Sequence, residues 1–167
     1  MKIDWISKMG ISSDMIKTME KTAQECSIIE GIHVPCIVSV KMCNDEEILS
    51  INSKYRGIQS STDVLSFPTV RFPAGCTAGQ CEDLIRKEFD DELNACFLGD
   101  IFISVPHIIS QANEFGHPVE REANYLLAHG ICHLMGYDHI IDEGRKQMRI
   151  IEEKILTASD NARPSEH

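Results

Sequence analysis

The sequence predicts an α+β fold, with a small mixed β-sheet of about four strands packed with about five helices. Segments in which every second residue is apolar, typical of strands, occur between segments in which apolar residues recur every three or four positions, typical of helices. The 167 residues contain no repeat and no linker, and a chain of this length can bury a proper core. We therefore expect residues 1–158 to form one domain and the polar residues 159–167 to form a disordered tail.

The first half of the chain is predicted to alternate strands with helices. Residues 1–7 are expected to form a short edge strand, and residues 14–26 an amphipathic helix. Residues 35–42 follow as a half-buried strand, because apolar side chains occupy alternate positions. Asn44 and Glu47 have the spacing of a capping box, which predicts that a second helix begins there. The inward positions of these elements are Met15, Ile16, Met19, Ala23, Cys36, Val38, Val40, Met42, Ile48, Ile51 and Tyr55.

Two further strands are predicted at DVLSF, residues 63–67, and at LGDIFISV, residues 98–105. The segment that joins them, residues 69–97, is long and rich in glycine, cysteine and acidic residues. No periodicity assigns an element within it. We expect a mobile flap there.

Three helices are predicted to complete the fold. Pro106 begins a helix that Gly116 ends, Pro118 begins the next, and Asp142 begins the last. The helix after Pro118 has an apolar stripe expected to be buried, formed by Ala123, Leu126, Leu127, Gly130 and Leu134. The last helix is expected to pack through Met148, Ile151 and Ile155.

The most specific feature of the sequence is HGICHLMGYDH, residues 129–139, which holds three of the seven histidines. His129 and His133 are four residues apart and so lie on one face of the predicted helix. Gly136 can end that helix, and the following turn can bring His139 back as a third ligand. Three histidines with one open position are typical of catalytic zinc. We therefore predict one zinc ion in a cleft between the sheet and this helix, with its open position for water or substrate.

An alternative stays open from the residues alone. His129 and His133 could be half-buried polar residues of an amphipathic helix, with His139 in a loop. The motif also differs from the HExxH of metallopeptidases, because Gly130 occupies the position of the glutamate base. This difference argues against proteolysis.

Three separated motifs carry a resemblance to a known family. They are NSKYRGIQSSTDVLSFP at residues 52–68, LGDIFIS at residues 98–104 and the histidine motif at residues 129–139. By these motifs, in this order, the sequence resembles the YbeY family of metal-dependent endoribonucleases, also called rRNA maturation factors. The resemblance covers most of the chain between about Val34 and about Ile155.

The resemblance implies roles for four residues. It makes His129, His133 and His139 the metal ligands, and Arg56 the basic residue of the cleft that engages RNA phosphate or supports cleavage. An arginine suits this role because its planar guanidinium stays charged and matches two phosphate oxygens. From the residues alone, Arg56 could instead be a cation that stabilises the C-terminal end of its own helix.

Three aspartates near the motifs have two interpretations each. Asp63 and Asp100 begin predicted strands, and either could accept a local backbone hydrogen bond or orient a ligand histidine. We favour the local structural role for both. Asp138, beside His139, could steer that ring or form a turn.

The net charge of −10 conflicts with a role in RNA binding, because proteins that bind nucleic acid phosphates are usually basic. Residues 81–93 account for −4 of this charge, with six acidic residues against Arg86 and Lys87. We expect a basic site on an acidic body, with weak binding of naked RNA and delivery by the ribosome. The cations expected to form that site are Lys41, Lys54, Arg56 and Arg71.

Composition restricts the location of the protein. No apolar run approaches the about 20 residues that cross a bilayer, and residues 1–10 lack the apolar stretch of a signal peptide. We expect a cytoplasmic protein without membrane contact. The seven cysteines are odd in number and show no CxxC spacing, so we expect most of them to be reduced core residues.

By this resemblance we expect a zinc-dependent, single-strand-specific endoribonuclease that acts in rRNA maturation and ribosome quality control. The expected partners are single-stranded rRNA and the ribosome or its small-subunit proteins, and not DNA. One alternative is a ribosome-assembly factor with little intrinsic catalysis, which a fourth protein ligand to the metal would favour. The other is a zinc hydrolase of another substrate class, which a narrow apolar pocket beside the metal would favour.

Overall fold

The structure is a computed structural model that describes residues 1–162. Within these residues, the elements in chain order are β1 (Lys2–Ser7), α1 (Ser13–Glu30), β2 (Cys36–Cys43), α2 (Asp45–Arg56), β3 (Val64–Pro68), α3 (Glu82–Lys87), β4 (Phe89–Asp90), β5 (Ala95–Ser104), α4 (Val105–Phe115), α5 (Val119–Leu134) and α6 (Asp142–Ala158). The predicted α+β class with a small mixed sheet is confirmed. Two short elements, α3 and β4, were not predicted, and both lie in the segment where the sequence shows no periodicity.

The sheet has the strand order β1-β2-β5-β3, and the short β4 pairs with the beginning of β5. β1, β2 and β5 are parallel to one another, whereas β3 runs antiparallel to β5. β1 is an edge strand, as predicted. β2 and β5 occupy the centre, and the four apolar residues predicted to face inward on β2 are all almost fully buried: Cys36, Val38, Val40 and Met42.

Helices cover both faces of this sheet. α1, α5 and α6 pack against one another, and α5 lies against β3 and β5, so the main core forms between these helices and the sheet. A smaller apolar cluster under α2 contains Cys43, Ile48 and Leu65. The capping box at the start of α2 is present as predicted. The Asn44 side chain accepts from the Glu47 backbone N–H, and the Glu47 carboxylate accepts from the Asn44 backbone N–H.

Two glycines set how closely α5 and β3 approach β5. A Cβ on Gly130 of α5 would lie 3.0 Å from Cγ2 of Ile101, so the helix sits nearly in contact with the strand. A Cβ on Gly99 would lie 2.2 Å from the carbonyl oxygen of Phe67, and the Gly99 φ of 142° disfavours other residues. Gly130 therefore serves packing at the position where metallopeptidases carry their base.

The segment between β3 and β5, expected to be a mobile flap, is folded against the core. Val70, Ala78 and Ile85 are buried in the main cluster. The segment also contains a disulfide between Cys76 and Cys81, which the absence of a CxxC spacing had not led us to expect. The other five cysteines are free and buried, as predicted: Cys26, Cys36, Cys43, Cys96 and Cys132.

Two of the first residues of the predicted disordered tail are packed against the protein. Ser159 and Asn161 are both buried after the end of α6. Residues 163–167, the remainder of the predicted tail, lie outside the described residues. Over residues 1–162, no helix combines the length and the apolar composition that crossing a membrane requires.

Candidate metal centre

The three histidines of the motif meet at one point on the surface of α5. The Nε2 atoms of His129 and His133 are 3.2 Å apart, and Nδ1 of His139 lies 3.1 Å from Nε2 of His133. One ligand nitrogen from each ring lies within 4.8 Å of the others, so the group could hold a metal ion. α5 supplies the first two histidines from adjacent turns, and the turn after α5 supplies the third.

His129 is oriented by a carboxylate on the neighbouring helix. Oε1 of Glu152, on α6, lies 2.7 Å from Nδ1 of His129. Glu152 is only 4% exposed, so this bond is shielded from water. With Nδ1 engaged in this way, Nε2 is the nitrogen of His129 left to face the other two rings.

His133 is oriented by the backbone. Its Nδ1 lies 3.0 Å from the carbonyl oxygen of Tyr137, which can only accept, so Nδ1 carries the proton. Burial, together with neighbouring His129 and His139, lowers the pKa of His133 to about 4. The ring is therefore neutral at pH 7, and its Nε2 lone pair is available as a ligand.

The turn that carries His139 is held from several sides. Gly136 has a φ of 92°, and its backbone lies against Cys76 and Phe72 of the segment between β3 and β5. The hydroxyl of Tyr137 donates to Oε2 of Glu30 at 2.6 Å, and the same carboxylate accepts from the backbone N–H of Gly79 at 3.0 Å.

Asp138 shapes this turn locally. Its Oδ1 accepts a hydrogen bond from the backbone N–H of Ile140 at 3.0 Å. Of the two interpretations left open by the sequence, this contact matches the turn role. The orienting groups that the structure places at the histidine rings are Glu152 and the Tyr137 carbonyl.

The histidines line one wall of an open cleft of about 490 Å³. Arg56, the last residue of α2, lines the same cleft, as do Asp63 and several residues of β3. The Nη2 of Arg56 donates to the carbonyl oxygen of Ser66 at 3.1 Å, and its guanidinium lies 5.5 Å from the centre of the Phe67 ring. Arg56 thus reaches across to β3, and its side chain is exposed to a ligand in the cleft.

The two other aspartates bond to groups other than the histidine rings. Oδ1 of Asp63 accepts from the backbone N–H of Val64 at 2.7 Å, and Oδ2 accepts from Gln111 at 3.1 Å. Asp100 accepts from the hydroxyl of Ser39 on the neighbouring strand. The Val64 contact is the local backbone bond that we favoured for Asp63, whereas the partner of Asp100 is a side chain 61 residues away in the sequence.

The basic site expected around Arg56 is smaller than predicted. Of the four cations expected there, Arg56 alone is among the described residues that line the cleft. Lys41 forms an ion pair with Glu47 at 3.0 Å, and this contact raises the pKa of Lys41. Lys54 lies over the ring of Tyr55.

The donor set fits a small divalent ion. Tetrahedral zinc with nitrogen ligands at about 2.0–2.1 Å places those nitrogens about 3.3 Å apart. Two separations match this, 3.2 Å between His129 and His133 and 3.1 Å between His133 and His139, and the whole group lies within 4.8 Å. Among residues 1–162, the metal-binding group contains these three side chains and no fourth, which is the arrangement that keeps a coordination position open.

Sequence reasoning missed Glu152. The signal was its position, since it lies between Met148 and Ile155 on the apolar face of α6, where a carboxylate is buried only if it has a partner. The sequence did not indicate that this partner is His129, because it does not specify which residues of α6 and α5 face each other.

The fold and the site together define an α+β protein with three clustered histidines and one arginine in an open cleft. Comparison with known proteins gives the family. The family model described as "Endoribonuclease YbeY" matches residues 4–160. The chain belongs to this family.

Several curated relatives carry the same name. The chain is 37% identical over 157 residues to an "Endoribonuclease YbeY" of Clostridium botulinum (strain Eklund 17B / Type B), covering 92% of this chain and 93% of the relative. It is 39% identical over 155 residues to that of Thermoanaerobacter sp. (strain X514), covering 93% of this chain and 89% of the relative.

A solved structure shares the fold. The solution structure of TM1509 from Thermotoga maritima matches with a TM-score of 0.56 over 99% of each chain, at 22% sequence identity. At this identity, the likeness concerns the fold alone.

Proposed function

We propose that this protein is a zinc-dependent, single-strand-specific endoribonuclease that acts in rRNA maturation and ribosome quality control. The observation that carries the proposal is that His129, His133 and His139 meet in one open cleft that Arg56 also lines. Membership of the endoribonuclease family supports RNA as the substrate.

The three histidines would hold the ion, with Glu152 and the Tyr137 carbonyl fixing the rings of His129 and His133. When bound, zinc would supply a positive charge that polarises a phosphate oxygen and activates a water. Arg56 would bind the scissile phosphate through its guanidinium and stabilise the charge that develops during displacement.

The cleft also bears on the two alternatives. It is lined by polar groups, including Arg56, Thr62 and Asp63, so it does not resemble the narrow apolar pocket expected of a zinc hydrolase for apolar substrates. An assembly factor with a structural metal would be expected to supply four protein ligands. Within the described residues, the histidine group has three. Both observations favour catalysis on an extended polar polymer.

We propose that the substrate is single-stranded rRNA, and that the ribosome or its small-subunit proteins deliver it in the cytoplasm. The overall charge of −10 supports assisted delivery, because a strongly acidic protein attracts free RNA poorly. Neither DNA nor a membrane is proposed as a partner.

The test is cleavage of a labelled single-stranded RNA by the purified protein and by His133→Ala. His33→Ala is the matched control, because His33 is an exposed histidine paired with Glu82 outside the cleft. We expect cutting by the wild type and by His33→Ala, loss with a chelator, recovery with zinc, and no cutting by His133→Ala. Equal cutting by all three would identify a contaminating nuclease and reject the proposal.

The ends of the products would identify the nucleophile. A 2′,3′-cyclic phosphate would indicate attack by the 2′-hydroxyl of the RNA, whereas simple 5′-phosphate or 3′-hydroxyl ends would indicate attack by water. Preference for single strands is tested by annealing the same RNA to its complement, which should protect it.

A further inference from the structure

One flank of α6 carries three cations that neither the fold nor the proposed site uses. Arg145, Lys146 and Arg149 are exposed, and none of them forms an ion pair with another described residue. We call these three residues the α6 basic stripe. On a chain with a net charge of −10, three unneutralised cations within five positions form a local exception.

The α6 basic stripe begins next to the metal centre. Arg149 and Arg145 precede Glu152 by three and seven residues, so all three lie along one face of the helix. Glu152 is the residue that touches His129. The two arginines therefore continue, turn by turn, from the residue that orients a proposed ligand.

The stripe and Arg56 belong to different elements around the histidines. Arg56 comes from α2 and bonds to β3, whereas the stripe is on α6, which packs against α5 and α1. Among the described residues, those that line the cleft include Arg56 and the three histidines but none from α6. An RNA strand that passes over the histidines and continues along α6 would therefore meet Arg56 inside the cleft and further cations outside it.

We propose that the α6 basic stripe binds the phosphate backbone of the single-stranded RNA where the strand leaves the cleft on the α6 side of the metal centre. This inference rests on the proposed function and adds a second contact surface for the same substrate. α6 carries no aromatic residue, so base stacking is not expected there and the contact should be independent of base sequence.

Charge also sets the limits of this surface. Asp142 and Glu143 precede the stripe in the first turn of α6. Their negative charges stabilise the N-terminal end of the helix and would repel a phosphate there. Glu153, which follows Arg149 by four residues on the same side of the helix, is paired with Arg121. The attractive surface is thus confined to about two helical turns, enough for a few phosphates.

The test measures binding of a labelled single-stranded RNA by fluorescence anisotropy as a function of salt. The full chain carries His133→Ala throughout, so that the RNA stays intact. In this background, Arg145→Gln, Lys146→Gln and Arg149→Gln are combined. The control combines Lys8→Gln, Lys17→Gln and Lys87→Gln, which changes the net charge equally, at exposed positions that are not on α6.

Neutralising three phosphate contacts should reduce the slope of log K against log salt by about 2, since each contact with a single strand contributes about 0.7. Affinity at about 0.1 M salt should fall at least about tenfold. The control triple should keep the slope of the parent. Arg149→Gln should weaken binding more than Lys154→Gln, because Lys154 lies about 140° around the same helix.

Equal slopes for the two triple variants would overturn the inference, because the effect would then follow net charge alone. Loss of binding to a polyglutamate peptide with an unchanged RNA slope would also overturn it and assign the stripe to an acidic protein. Failure of the proposed function is distinguishable, since the zinc-loaded protein with intact histidines would then not cut RNA at all. Thermal melting of each triple confirms folding, and Arg149→Lys, which keeps the charge, should retain the parent slope.

Discussion

Oε1 of Glu152 lies 2.7 Å from Nδ1 of His129, and this contact joins α6 to α5 at the metal centre. The bond fixes the ring of His129 and leaves Nε2 to face His133. A carboxylate behind a histidine also makes that histidine a better donor to a metal. The last helix therefore contributes to the site without supplying a ligand.

Replacing Glu152 should weaken metal binding without removing a ligand. We expect Glu152→Ala to reduce zinc affinity by about 10- to 100-fold, as is typical when the partner of a ligand histidine is lost. Competition with a chromogenic chelator measures this. Glu143→Gln, an exposed change on the same helix, is the control and should leave affinity unchanged. Equal affinity in all three proteins would show that Glu152 has only a packing role.

Removing the metal should stop cleavage without unfolding the protein. The core is formed by apolar residues of α5 such as Leu127 and Ile131, and none of the histidines belongs to it. Far-UV circular dichroism should therefore be retained in a chelator, with a melting temperature lower only by the contribution of ligand binding. Cooperative unfolding on chelation would instead indicate a structural metal.

Arg56 should matter for its shape as well as for its charge. We expect Arg56→Ala to lower kcat/KM for RNA by about 100- to 1,000-fold, because a preorganised donor to the developing charge is lost. Arg56→Lys should recover only part of this, since an ammonium cannot bind two phosphate oxygens in one plane. Lys54→Ala, which removes a cation two residues earlier on α2 and about 200° around the helix, is the control. Full activity of Arg56→Ala would refute a catalytic role.

Gly99 should tolerate no side chain. Gly99→Ala is expected to lower the free energy of unfolding by about 3 kcal/mol or more, since the new Cβ would overlap the Phe67 carbonyl and the backbone would be strained. Gly75→Ala also has a positive φ but open space around it, so its cost should be only about 1 kcal/mol. Urea unfolding measures the free energy of unfolding of both variants. Similar losses in the two variants would mean that stability does not depend on the close approach of β3 to β5 at Gly99.

The capping box of α2 should lose its contribution in acid. Hydrogen bonding to the Asn44 backbone N–H, and then to Lys41, lowers the pKa of Glu47. A carboxylate with a lowered pKa in the folded state stabilises the protein above its unfolded pKa, and this stabilisation is lost as the pH falls. Glu47→Ala should cost about 0.5–1 kcal/mol at neutral pH, and the difference from wild type should vanish between about pH 5 and about pH 3. A difference that persists in acid would contradict this origin.

The parts of the fold that local patterns specify could be predicted from the sequence. Alternating apolar residues predicted β2, and the spacing of Asn44 and Glu47 predicted the start of α2. The four-residue spacing of His129 and His133 predicted that both lie on one face of α5. The prediction failed to assign α3 and β4, because their short sequences have no period and form only against the core. It also gave no partner for Glu152, since such a contact depends on how two distant helices pack.

The resemblance and the residues contributed differently at the site. Spacing alone predicted that His139 lies near the other two histidines. The placement of Arg56 in the same cleft depends instead on the contact of α2 with β3, which the sequence does not specify locally. The expected larger basic patch was wrong about Lys41, because Glu47 of the same capping box neutralises it. Sequence distance does not reveal such pairings.

Glu30, at the end of α1, accepts from Gly79 with one oxygen and from the Tyr137 hydroxyl with the other. It lies 107 residues before Tyr137 in the sequence, yet it fastens the turn that presents His139. Metal affinity could therefore be adjusted by protein engineering at a position that touches neither the ion nor any histidine. A natural substitution of Glu30 would change the position of His139 through the same contacts, so we expect substitutions at Glu30 and Tyr137 to occur together in related sequences.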